Sequence, residues 1–200
     1  AKTVVRDDIT IPLGLASYGT IDEHYDAING CQKCPLGKTR TKFVYGVGSP
    51  KAKLLFIGEA PGAQEDQQGE PFVGAAGKLL DKILAAIQLS RQEIYIANIL
   101  KCRPPNNRDP QPNEVAECLP YLHEQIRIIQ PKLICCLGRI AVQSLLQTTT
   151  PLSKLRKSWL YYHGIPMLVT YHPAALLRFP EYKKETWEDM KMLKARYDQL

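Results

Sequence analysis

Four of the six cysteines in this 200-residue chain have a spacing that could do chemistry. Cys31 and Cys34 form a Cys-x-x-Cys pair followed by Pro35. Cys102 and Cys118 lie further on, with a proline-rich stretch between them. Four thiolates presented from turns and helix ends can surround a zinc ion or a [4Fe–4S] cube, and spacing alone selects neither. Against both stands the ordinary use of intracellular cysteine as a small buried apolar residue. That ordinary use is expected of Cys135 and Cys136. Neighbouring side chains in an apolar strand face opposite ways and cannot chelate together.

A second set of residues is polar and stands where apolar runs end. Gly58-Glu59-Ala60-Pro61-Gly62 follows one such run. Its glycines would let backbone N–H groups approach a ligand, although a plain strand-to-helix turn has the same composition. It lacks the spacing of a phosphate loop or a dinucleotide fingerprint. It continues through Glu65 to Pro71-Phe72-Val73-Gly74 as a polar loop longer than a connection requires. Asn98 interrupts the apolar run Ile-Ala-Asn-Ile; it is either a satisfied core amide or an amide aimed at a ligand. His172-Pro173-Ala174-Ala175-Leu176-Leu177-Arg178 follows another apolar run. A lone histidine there is compatible with a structural or a chemical role.

These residues need elements to position them. Leu54–Ile57, Ile94–Leu100, Leu133–Leu137 and Met167–Tyr171 read as short buried strands. Helices are expected over Ile21–Asn29, around Leu79–Ile87, from an Asn113 cap to about Ile129, from Gly138 through Leu146, and over Glu181–Tyr197. Arg103–Pro112 carries four prolines and is expected to be a loop. Alternating strands and helices predict an α/β fold, three-layer α/β/α with a central, mostly parallel four-stranded sheet. Such sheets bind ligands at the carboxyl ends of their strands, where all the polar segments above would gather. Residues 1–20 are expected to be a loosely ordered arm and 21–200 one domain.

The formal charge of +6 and the pI of about 9.0 suit either a solvated surface with excess lysine or a footprint for a phosphate backbone. There is no apolar run of membrane-spanning length and no secretory-type start, so a cytoplasmic protein with reduced thiols is expected.

Taken in order, Gly58–Gly62, Pro71-Phe72-Val73-Gly74, Asn98 with Leu100-Lys101-Cys102-Arg103-Pro104-Pro105, and His172-Pro173-Ala174 resemble the motifs of the family 4 uracil-DNA glycosylases. These are the iron–sulfur branch of their superfamily, and the resemblance runs from about Cys31 to Arg178. It implies a monofunctional DNA-repair hydrolase that removes uracil from double- or single-stranded DNA in base excision repair, acting as a monomer. It implies a [4Fe–4S] cluster in place of zinc, on Cys31, Cys34, Cys102 and Cys118. A flipped base would stack on Phe72 and have its edge read by Asn98, with Gly58 and the Glu59 backbone beside it. His172 would donate to the uracil O2 as charge develops there. Glu59 is the first candidate to activate water, with Glu65 or a substrate phosphate as substitutes. The best-studied branch has a carboxylate where this chain has Ala60, and a bulky aromatic where it has Gly62. Glu65 is expected to replace that aromatic as the wall against thymine. Leu176 is expected to fill the gap left by the flipped base, and Arg178 and Arg156, with Lys154 and Lys157, to contact phosphates.

Two rivals remain at this level. A related branch that captures uracil-DNA covalently carries an extra basic loop with a nucleophilic histidine, and Leu155-Arg156-Lys157-Ser158-Trp159 has none. A zinc-held, non-catalytic nucleic-acid module would keep the cysteines and the basic charge without needing Phe72, Asn98 and His172 together.

Overall fold

The computed structural model describes residues 18–200. Helix α1 (Ile21–Ile28) is started by a capping box in which Thr20 and Glu23 satisfy each other's backbone amides. It leads into the cysteine turn and α2 (Leu36–Thr39). There follow β1 (Val47–Gly48), β2 (Leu54–Gly58), α3 (Ala63–Gln68), α4 (Ala75–Ala86) and β3 (Tyr95–Asn98). A single 3-10 turn at Pro105–Asn107 precedes α5 (Pro112–Ile129). Then come β4 (Leu133–Leu137), α6 (Arg139–Leu146), α7 (Leu152–Leu155), β5 (Leu160–Tyr162), β6 (Ile165–Thr170), α8 (Pro173–Arg178) and α9 (Tyr182–Tyr197).

The sheet has the order β1-β3-β2-β4-β6-β5. The four inner strands are parallel, and β1 and β5 pair antiparallel at the two edges. Because strand side chains alternate, each strand feeds two cores. Leu55, Ile57, Ala97, Ile134, Cys136 and Val169 face one core with α5 and α6. Leu54, Phe56, Ile96, Cys135 and Leu168 face the other with α4 and α9. This makes three layers. It also sends Cys135 and Cys136 to opposite faces, both fully buried.

The sheet has six strands, not the expected four. The additional pair are two and three residues long, too short to show a period. The loop expected after β2 contains α3, and the His172–Arg178 segment after β6 forms α8. Gln111, not Asn113, caps α5. Its side chain and that of Glu114 form the reciprocal box, and Pro112 occupies the first turn, where its missing N–H costs nothing. The arm expected over residues 1–20 lies outside the described residues up to position 17.

Candidate active site

The polar segments meet at the carboxyl ends of the parallel strands. Gly58 and Asn98 are register partners at the ends of β2 and β3. His172 stands two residues beyond Thr170, which closes β6. Asn98 and His172, together with Phe72 and Glu59, line a cavity of ≈ 430 Å³, large enough for one nucleobase and its sugar.

Phe72 is buried and has a left-handed backbone, φ 55°, which is rare for an aromatic residue and marks a held position. Two features hold it. Arg91 donates to the carbonyls of both Pro71 and Phe72 while ion-pairing with Asp81 of α4. Gly77 of α4 leaves room for the Phe72 carbonyl, since a Cβ there would lie 1.8 Å from that oxygen. The Phe72 ring lies 5.4 Å from the His172 ring, tilted by 31°. Asn98 is 2 % exposed, and its Oδ1 has no hydrogen-bond donor among the described residues. A buried, unsatisfied acceptor costs about 1–3 kcal/mol unless a ligand completes it. Gly58 permits the arrangement, because the Asn98 amide and the Phe72 ring edge both occupy the space that any side chain on residue 58 would fill.

His172 caps α8, and its Nδ1 accepts from the Ala174 amide at 3.1 Å. That bond fixes the tautomer: in the neutral ring the proton sits on Nε2. Burial, assisted by Arg178 and opposed by Glu65, lowers the His172 pKa to about 4, so the ring is neutral at physiological pH. Glu59 behaves oppositely. Burial and the nearby Asp109 raise its carboxyl to about 7, against the pull of Arg139 and Arg178. Glu65 also lines the cavity, but one of its oxygens is committed to the amides of Val73 and Gly74 at 3.0 and 2.9 Å. It braces the loop that carries Phe72.

Three residues not expected from sequence close one side of the cavity: Asn107, Arg108 and Asp109. Asn106 and Asn107 are successively left-handed, a conformation asparagine tolerates, and Arg103 donates to Asn107 Oδ1 at 2.8 Å. Arg108 grips Glu114 of α5, and Asp109 pairs with Arg139 of α6 at 2.7 Å. The one available signal was the pair of asparagines in a proline-rich loop.

Two of the expected DNA contacts are corrected. Leu176 is 1 % exposed, because its phase on α8 turns it inward. The apolar side chains presented outward there are Leu177 and Phe179, 48 % and 47 % exposed. Arg156 is buried, with its guanidinium held by Asp189 at 2.8 Å and by Glu185, and stacked on Tyr171. Its guanidinium is turned into the fold, out of reach of a phosphate in solvent. Arg178 is exposed and lines the cavity, and Lys154 and Lys157 are exposed away from these pairs.

The four cysteines share one neighbourhood. Burial raises the Cys102 and Cys118 thiols, and the neighbouring sulfurs of Cys34 and Cys31 for the one and of Cys102 and Cys34 for the other push in the same direction, against Arg40 and Lys101. All are free thiols. Donors aim at their sulfurs: Tyr121 Oη at Cys31 (3.2 Å), Arg40 Nη1 at Cys102 (3.4 Å) and the Lys101 amide at Cys118 (3.2 Å). Among the described residues no group of three or more His, Cys, Asp or Glu converges as ligands of a single ion would.

A second cavity, ≈ 460 Å³, lies at the opposite end of the sheet, before β4, between His123, Tyr162 and His163. It contains none of the polar residues that end the parallel strands.

Comparison with known proteins adds an independent line. The family model described as Uracil DNA glycosylase superfamily matches residues 45–191. The type-4 uracil-DNA glycosylase of Archaeoglobus fulgidus is 46% identical over 182 residues, 87% of this chain and 92% of that protein. Its namesake from Sulfurisphaera tokodaii is 42% identical over 184 residues, 88% of this chain and 84% of that one. The type-4 enzyme of Thermotoga maritima is 39% identical over 176 residues, 85% and 91% respectively.

Proposed function

The chain belongs to the uracil DNA glycosylase superfamily, and from that premise we propose that it hydrolyses the N-glycosidic bond of uracil flipped out of DNA, leaving an abasic site for base excision repair. Residues 21–200 act as one catalytic domain on uracil in double- or single-stranded DNA, as a cytoplasmic monomer. Among the described residues no helix is long and apolar enough to cross a membrane.

The observation that carries this reading is the Asn98 Oδ1, buried and without a donor among the described residues, in a cavity of nucleobase size. Uracil supplies the missing donor through N3–H, while the Asn98 amide donates to O4. Cytosine presents the reverse pattern and would leave both groups unpaired. Sites that discriminate by unpaired buried polar groups reach about 10⁴-fold. Phe72 stacks on the base, and Gly58 with the Glu59 backbone lies beside it. Glu65 acts by holding the Phe72 loop.

Departure of the base places negative charge on uracil. A neutral imidazole with its proton on Nε2 can donate to O2 without a protonation step, which is the environment His172 has. The sugar then takes up water. Glu59, with a carboxyl near neutrality, is the group in the cavity suited to accept a proton from it. Leu177 and Phe179 are the apolar groups that press into the base stack, and Arg178 meets the backbone phosphate.

Cys31, Cys34, Cys102 and Cys118 suit a [4Fe–4S] cluster. They are four free thiols close to one another, with N–H and O–H donors directed at the sulfurs. Such a cluster supplies a structural crosslink between the turn after α1, the segment after β3 and α5.

The test is incubation with a uracil-containing oligonucleotide followed by alkali. Strand breaks at uracil and none at cytosine or thymine are expected. Retained binding without breaks would instead support a non-catalytic module.

A further inference from the structure

Lys101 is the one lysine among the described residues that is completely buried, 0 % exposed, and no carboxylate pairs with it there. Its ammonium donates to the Asn98 carbonyl at 2.9 Å and to Gln125 Oε1 at 2.6 Å. Gln125, also fully buried, is itself aimed by donating to the Tyr45 carbonyl at 3.0 Å. The Lys101 backbone is pinned on both sides. Its amide donates to Cys118 Sγ, and its carbonyl accepts from Val44 at 2.9 Å.

Burying an uncompensated ammonium is costly, and neutral acceptors repay part of that cost. The placement is informative about what the cost obtains. Asn98 is the last residue of β3 in register with β2, so its carbonyl lies where the ladder stops. A buried carbonyl there needs a donor from outside the sheet. The Ile99 amide of the same peptide donates to the Gly58 carbonyl at 3.0 Å, so β2 on one side and Lys101 on the other hold the peptide plane after Asn98, and with it the backbone from which the Asn98 side chain springs. The next residue after Lys101 is Cys102, and the thiol on its amide is Cys118. One residue therefore touches both the backbone of the base-reading residue and the cysteine assembly.

We propose that Lys101 is the positioning residue that holds Asn98 in the orientation needed to read the uracil edge, anchored in turn by the cysteine assembly. This rests on the reading of Asn98 as the residue that recognises the base. Lys101 touches no substrate atom. It acts through the carbonyl of Asn98, and a displacement of the Asn98 amide by an ångström would cost about 10²-fold in rate.

The experiment is a double-mutant cycle on the intact, iron-loaded protein, with Lys101→Met, Asn98→Ala and the double variant. Each is assayed for kcat on uracil-DNA, for equilibrium affinity for free uracil, and for affinity for duplex lacking uracil. Lys101→Met is expected to lower kcat by about 10²-fold and to weaken uracil binding, with plain duplex affinity unchanged. The double variant should be no worse than Asn98→Ala alone. Losses that multiply, or a Lys101→Met enzyme with wild-type kcat and uracil affinity, would overturn the proposal. A general structural defect would show as weaker duplex binding and lost visible absorption of the cluster, and that pattern also counts against it. If Lys101→Met does not fold, Lys101→Gln, which keeps a neutral donor, enters the same cycle with the same expected non-additivity. An Asn98→Ala enzyme with undiminished kcat would sink the underlying reading of Asn98 instead, which separates the two failures.

Discussion

The position at which a side chain on Gly58 would begin lies 2.4 Å from Asn98 Oδ1 and 2.7 Å from the Phe72 ring. The edge-reading amide and the stacking ring therefore converge on a point that is empty only because residue 58 has no Cβ. Gly58→Ala should push one or both aside. We expect kcat on uracil-DNA to fall by about 10²-fold, with a stability loss of about 1–3 kcal/mol. Steady-state kinetics beside thermal melts check this, and a Gly58→Ala enzyme of normal rate would contradict the convergence.

His172→Ala removes the Nε2–H donor. Loss of one such donor costs about 10²–10³-fold in kcat. Affinity for uracil-DNA should change far less, because the bond is strongest after charge has moved onto the base. Single-turnover rates and binding isotherms on the same substrate distinguish these, and equal losses in both would remove the transition-state role.

The pH dependence follows from two opposite shifts. Glu59 acts when ionised, and its carboxyl is raised to about 7. As pH falls below about 7 the base is progressively protonated, so kcat/KM should drop about tenfold per unit. His172, lowered to about 4, stays neutral through this range and adds no second loss above it. In Glu59→Gln the acid limb should vanish and the plateau should be lower. A limb that survives the substitution assigns the titration to another group.

Leu176 and Leu177 are adjacent in sequence and opposite in exposure. Leu177→Ala should slow uracil removal from duplex by roughly tenfold, a little over 1 kcal/mol, and from single strands much less, since only the duplex needs its gap filled. Leu176→Ala should instead destabilise the fold by about 2–5 kcal/mol. Comparing duplex and single-strand rates with denaturant midpoints tests the pair; a duplex-specific loss in the Leu176 variant would reverse the assignment.

Parts of the molecule were legible because one physical rule dominated them. The four parallel strands are continuous apolar runs, as burial on both faces demands. Asn98 and His172 stood out as polar residues ending such runs, and their meeting at one cavity follows from parallel topology. Helix α3, Ala63–Gln68, was illegible because it has no apolar face to generate a period. The inward turn of Leu176 depends on the phase of a six-residue helix, which its sequence does not declare. Arg156 read as a surface cation because its partners, Asp189 and Glu185, are some thirty residues away on α9. The Asn107–Asp109 wall needs contacts to α5 and α6 that only the folded chain makes.

The burial of Arg156 has a consequence for how the protein should respond to salt. Affinity for DNA falls with salt in proportion to the number of phosphates whose counterions are displaced, about 0.9 per contact. The chain's formal charge of +6 counts Arg156 like any other cation. Yet its charge is cancelled in the interior by Asp189, so it displaces no ion from the double helix. The salt slope should thus report exposed cations such as Arg178. Cations spent within the fold contribute to its stability and leave the ionic atmosphere of the DNA untouched.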